Sequence, residues 1–250
     1  LSDWLMNNDG QLIEEFSDMH SVAHAGFMGN YARAIFSQTK IHMGDRVRLR
    51  LINAATNRIF PLKLSGVEGK IVALDGMALD TPRDFEDINI APAQRVDILL
   101  ESSATLQSVW EISTGERVMA ASFERRNALS SGLPPLLRAM PWYEKPDPAG
   151  ARQVDIHMQG GAMGNLVSAE FDGTTRTLQD IARNEKKLWA FNGKIGSYAL
   201  DIADVKLGDV VQLNVWNDTS WRHAMHLHGQ HFWVSSQEFE GGARDLMRDT

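Results

Sequence analysis

Not one of the 250 residues is a cysteine. Disulfides, thiolate nucleophiles and thiolate metal ligands are therefore excluded within this chain. Basic clusters are missing as well. The 25 Lys and Arg stand against 32 Asp and Glu, a net charge of −7. An acidic chain without a basic patch argues against nucleic acid and anionic membranes as partners. No apolar run approaches the ~20 residues that span a bilayer as a helix, so no membrane span is expected. P-loop, H-E-x-x-H and EF-hand patterns do not occur. The first residues, "LSDWLMNNDG", carry no initiator Met and no charged-then-apolar leader, and the last, "RDLMRDT", follow a strand-like run. Both ends read as cuts from a longer chain.

Short alternating segments dominate what is present. In "DRVRLRLIN" (45–53), Val47, Leu49 and Leu51 share one face and Arg46, Arg48 and Arg50 the other, the pattern of a half-buried antiparallel strand. "KIVALDG", "INIAPAQRVDILLE" and "VWEIST" read the same way, separated by Gly, Pro and Asp turns. Helix is expected only in "TRTLQDIARNEKKL" (175–188) and "RVMAASFERRN" (117–127). Five of the eight prolines fall in 130–151. Proline fixes φ and removes a donor, so this stretch is expected to run extended as a linker.

An internal repeat points to two domains. "KIHMGDRVRLRLIN" (40–53) aligns without a gap on "DVKLGDVVQLNVWN" (204–217), with Gly44/Gly208, Asp45/Asp209, Val47/Val211, Leu49/Leu213 and Asn53/Asn217 identical. After a slip of one residue, "PLKLSG" (61–66) lies over "AMHLHG" (224–229). The expected architecture is all-β: tandem sandwiches, with residues 1–130 as the first domain, 131–151 as the linker and 152–250 as a partial second domain.

The repeat also serves as an internal control for the histidines. Four of the eight lie in "RHAMHLHGQHFWV" (222–234). Phe60, Lys63 and Ser65 occupy the places of His223, His226 and His228, so the scaffold does not require imidazole there. On a strand, His226 and His228 share one face and His223 the other. Imidazole suits copper, zinc and iron, and the cluster is read as a metal site. A cupin-type acid is too far along, at Glu238, and zinc fingers need cysteines. His20, His24, His42 and His157 are read as structural, as lone histidines usually are. His231 is read as structural or as support behind the ligands. Trp216, Trp221 and Trp233 are expected to be buried in the sandwich, and Met225 to pack rather than coordinate.

The run H-x-x-H-L-H-G-x-x-F resembles the signature of multicopper oxidases of the laccase and copper-resistance type. Ala224 stands where that family usually has Pro, and Gln230 where it often has His. "LSDW", "GDRVRLRLINAA", "IVALDG" and "APAQRVDILLE" are similar to the family's middle domain, and "FNGK" and "GDVVQLNVWN" to the opening of its last domain. The resemblance implies tandem cupredoxin-like Greek-key β-sandwiches, the second incomplete, with a copper-free middle domain. It implies His223 as a type 1 copper ligand, and His226 and His228 as ligands of a trinuclear cluster. The implied activity is one-electron oxidation of a phenol-like substrate or metal ion, coupled to reduction of O2 to water. A type 1 centre needs a thiolate, and the cluster needs further histidine pairs. The resemblance places these in a first domain and a C-terminal segment beyond this sequence, or in another chain. The 250 residues alone are then expected to be inactive, and the parent enzyme periplasmic or secreted. Two alternatives stand beside this reading: a non-catalytic cupredoxin-like copper-binding module, and a sandwich pair whose site has decayed. A mononuclear hydrolase fits less well, since no general base is evident on the histidine face.

Overall fold

The computed structural model describes residues 1–13, 29–35, 40–42, 47–65, 69–85, 87–100, 108–111, 117–120, 122–124, 144–196, 201–236 and 246–248. By contact the chain divides into two units. One takes in the described residues of Leu1–Leu12, Met28–Tyr143 and Ala224–Thr250, and the other those of Ile13–Phe27 and Glu144–His223. The described residues of 224–250 thus group by contact with the first unit.

The first unit opens with β1 (Ser2–Trp4), β2 (Tyr31–Arg33), β3 (Lys40–His42), β4 (Val47–Ile52), β5 (Phe60–Ser65) and β6 (Gly69–Leu74). It continues with β7 (Met77–Asp84), β8 (Ile88–Ile90), β9 (Arg95–Leu100), β10 (Ser108–Glu111), β11 (Arg117–Ala120) and β12 (Ser122–Glu124). Two four-stranded antiparallel sheets form, in the orders β4-β9-β6-β7 and β11-β10-β5-β8. Leu49, Leu51, Leu74, Val96, Ile98 and Leu100 from the first sheet meet Phe60, Leu62 and Ile90 from the second in one core. This is a β-sandwich, and over the described residues 47–52 the expected alternation holds. Leu49 and Leu51 are buried, Arg50 is exposed, and Arg48 lies across the strand's outer face on Asp97, its Nε 2.9 Å from Oδ2. The β6–β7 hairpin turns at Asp75–Gly76, both at positive φ, the conformation that Asp-Gly favours in two-residue turns.

The second expected helix is not observed. Residues 117–120 and 122–124 of "RVMAASFERRN" form β11, which pairs with β10, and β12, which pairs in parallel with β3. Sheet partners outweighed a weak local helical preference. Of the linker, 131–143 lie outside the described residues. Residues 144–150 are exposed and carry no strand or helix.

The second unit contains β13 (Arg152–Gly160), β14 (Ser168–Phe171), β15 (Thr174–Thr177), the helix α1 (Leu178–Glu185), β16 (Trp189–Phe191) and β17 (Val211–Asp218). The helix falls inside the stretch read as helical. Thr177 caps it, its side chain accepting the Asp180 N–H at 3.2 Å, which satisfies one of the donors every helix start leaves over. Ile181 points inward onto Ala169, Phe171, Ala190 and Ile195. The sheet runs β16-β13-β17. The repeat's Gly-Asp turn precedes β17: Gly208 has φ +95, and the Asp209 carboxylate accepts the Lys206 N–H at 2.8 Å.

The final strands, β18 (Phe232–Val234) and β19 (Leu246–Arg248), pair antiparallel. Arg248 reaches the buried Asp75 carboxylate at 2.7 Å, tying this segment to the first unit. No helix among the described residues is long and apolar enough to cross a membrane.

Candidate metal centre

β17 ends at Asp218, and the loop that follows carries the histidines. Asn217 organises its start. Its Nδ2 donates to the Trp221 carbonyl at 2.7 Å, and its Oδ1 accepts from the Thr219 N–H at 3.2 Å and the Thr219 hydroxyl at 2.6 Å. The Trp221 indole N–H donates to the Ala162 carbonyl at 3.2 Å, and the Ser220 hydroxyl to that of Met163 at 3.2 Å. The loop is thereby pinned to the turn after β13. That turn depends on two glycines at positive φ, Gly160 and Gly161. A Cβ on Gly161 would lie 2.1 Å from the Trp189 ring, so glycine is what lets the indole in.

His223 is half-buried against that indole. The two rings meet edge to face, with centroids 5.1 Å apart. Its Nε2 lies 2.9 Å from the Thr219 hydroxyl oxygen. A cavity of about 210 Å3 opens here, lined by Met158, Gln159, Trp189, Ala190, Phe191, Thr219 and His223. Burial lowers the imidazole's pKa below its ordinary 6.5, because a charged ring is costly away from water. A neutral imidazole keeps the lone pair that a metal requires.

His226 and His228 are exposed, and their rings meet edge to face with centroids 4.9 Å apart. The expectation that they share a face is met. The expectation that "AMHLHG" forms a strand like its sister is not. Phe60–Ser65 pairs with β8 on one side and β10 on the other, whereas 222–231 carry no ladder pairing among the described residues and turn at His228–Gly229. Gly229 has φ +76 and the Gln230 N–H reaches the Leu227 carbonyl. The extended alternation survives without a ladder: Met225 and Leu227 are half-buried and the two histidines point to solvent. Among the described residues, no group of three or more His, Asp or Glu side chains converges as a complete metal site.

The other histidines separate as follows. His157 stacks on Trp216, with centroids 4.1 Å apart and planes within 6°, and its Nε2 lies 3.0 Å from the Asp218 carboxylate. His231 is half-buried. The side chain of His42 and all of His20 and His24 lie outside the described residues. Trp221 and Trp233 are half-buried, but Trp216 is 62% exposed, contrary to expectation. The parity of β17 puts it on the polar face with Gln212 and Asn214, not on the face of Leu213. The sequence reading also missed Thr219, Asn217 and Trp189 as neighbours of His223. One signal was available: Asn217 is among the repeat's identities.

Similarity to known proteins bears on this site. The multicopper oxidase family model matches residues 1–130, and a second multicopper oxidase model matches residues 170–249, which include all three candidate histidines. Multicopper oxidase MmcO of Mycobacterium tuberculosis is 26% identical over 211 residues, 82% of this chain and 39% of that protein. Copper resistance protein A of Escherichia coli is 28% identical over 94 residues, 37% of this chain and 15% of that protein. The crystal structure of a multi-copper oxidase from Pseudomonas thermotolerans superposes with a TM-score of 0.72 at 19% identity, over 99% of this chain and 56% of that one; the likeness shows a shared fold. The matched stretches cover between about one-seventh and just over half the length of these proteins. With one model covering residues 1–130 of 250 and another the stretch around the histidines, the chain belongs to the multicopper oxidase family.

Proposed function

We propose that the chain serves within an oxidoreductase that couples one-electron oxidation of a small reducing substrate, phenol-like or a metal ion, to reduction of O2 to water. The observation that carries this reading is the histidine set. His223, His226 and His228 lie in the family-matched stretch 170–249 and stand where the sister copy has Phe60, Lys63 and Ser65. In this reading His223 holds a type 1 copper, and His226 and His228 belong to a trinuclear cluster. The donors fit: imidazole suits copper, and a type 1 centre adds a thiolate, which comes from outside these 250 residues, as do the cluster's remaining ligands. Copper, when bound, supplies one-electron redox chemistry. The chain's own residues prepare the ground for it. Burial beside Trp189 keeps His223 neutral, and the exposed pair His226 and His228 points one way. Only Ala224 and Met225 separate His223 from His226, a short covalent path between the two centres. A periplasmic or secreted setting is part of this reading, as the resemblance to the copper-resistance type implies.

Oxygen uptake tests this, measured on the polypeptide that carries these residues together with a thiolate and supplied with Cu(I), Fe(II) or a phenol. The expected outcome is uptake in the wild type that His226→Ala and His228→Ala each abolish. Uptake indifferent to both changes would sink the reading. Copper bound without any uptake would point to the non-catalytic copper-binding module.

A further inference from the structure

We infer that Thr219, held by Asn217, is a positioning residue that sets the tautomer of His223, so that Nε2 carries the proton and Nδ1 faces the metal. The inference rests on the reading of His223 as a copper ligand. Counting donors leads to it. Asn217 Nδ2 is identified by its bond to the Trp221 carbonyl, which can only accept, so the atom facing Thr219 is Oδ1. A hydroxyl has one proton and two lone pairs. Around Thr219 Oγ1 stand Asn217 Oδ1 at 2.6 Å, the Trp221 carbonyl at 3.0 Å, the Trp221 N–H at 3.1 Å and His223 Nε2 at 2.9 Å. If the hydroxyl gave its proton to His223, two oxygen–oxygen contacts would be left without a hydrogen, one of them at 2.6 Å. Given to either oxygen, it leaves only one such contact, and the shorter one, to Asn217 Oδ1 at 2.6 Å, takes it over the Trp221 carbonyl at 3.0 Å. Both lone pairs then accept, one from the Trp221 N–H and the other from an Nε2–H on His223. Nδ1 keeps its lone pair. Metal-bound histidines are generally oriented this way, by a hydrogen bond from the ring nitrogen that does not ligate.

The first copy of the repeat supplies the control. Asn53 makes the same turn: its Oδ1 accepts the N–H two residues on, at Ala55 (2.9 Å), and its Nδ2 donates to the Arg58 carbonyl at 2.7 Å. The one-residue slip between the copies therefore falls in this loop, where Thr56 and Asn57 face the single Ser220. With the turn preserved, Ala55 takes the place of Thr219 just as Phe60 takes that of His223. The hydroxyl is present in the copy that has the imidazole and absent from the copy that lacks it. The turn needs only the asparagine; the hydroxyl answers to the histidine.

The test is the tautomer of His223 in the metal-free protein, read from long-range 1H–15N correlations in 15N-histidine-labelled material above the imidazole's titration. An Nε2–H ring is expected in the wild type, retained in Thr219→Ser and replaced by a mixture in Thr219→Val. An Nδ1–H ring in the wild type overturns the inference without any variant having to fold. So does a Thr219→Val protein with an unaltered Nε2–H ring. Added Cu(I), which is diamagnetic, is expected to shift the His223 ring signals, with an affinity about 10- to 100-fold weaker in Thr219→Val. Equal affinity in the two proteins overturns the positioning role alone. Wild-type His223 signals that ignore Cu(I) overturn the ligand reading instead.

Discussion

His223 differs from its neighbours by burial. Its imidazole pKa lies below 6.5 in the folded chain because the ring is desolvated beside Trp189. The unfolded chain therefore takes up this proton first as pH falls. Stability from the neutral ring is complete above 6.5 and is lost as pH drops from there through the lowered folded value. Urea unfolding between about pH 5 and pH 7 should show stability falling on acidification, and His223→Asn should make that slope shallower. An unchanged slope would place the titrating group elsewhere. At this scale the sequence singled out three histidines as candidates, because the sister copy has other residues in their places. It did not reveal Thr219, because a hydroxyl on the first residue beyond a strand looks like ordinary loop until the four atoms around it are in place.

Among the elements, β5 and the histidine stretch show what a repeat does and does not transmit. The alternation of Met225 and Leu227 against His226 and His228 was legible and survives. Ladder pairing was not, because a strand needs neighbours, and β5 has β8 and β10 while 222–231 have no paired strand among the described residues. The helix α1 was legible from its own residues, since its cap and its apolar stripe are local. Thr177→Ala should lower stability by about 1 kcal/mol, seen as a lower denaturant midpoint in far-UV circular dichroism, with Thr177→Ser close to wild type. β12 was misread as helix because its partner β3 is distant in sequence, and no local pattern announces a distant partner; β11 pairs with the nearby β10, but its four residues are too few to show a period of their own.

Across the whole molecule, a missing residue type sets the chemistry. Without cysteine, the 250-residue polypeptide alone should bind Cu(II) through imidazole without the intense blue thiolate-to-copper absorption of a type 1 centre, and should consume no O2. Visible spectroscopy during copper titration checks this, and a stoichiometric blue band would contradict the ligand assignment. The first unit's sandwich followed from period-2 alternation, since a strand with one apolar face must bury it against another sheet. The sequence by itself determined the strand pattern, the repeat, the family and the three candidate ligands, because each is a matter of residue type and spacing along the chain. The tertiary structure alone decided that Trp216 lies open beside His157, that His223 sits against Trp189, and that Thr219, held by Asn217, lies at its Nε2. Those facts depend on which side chains the fold brings within hydrogen-bond distance, and one-dimensional spacing does not contain them.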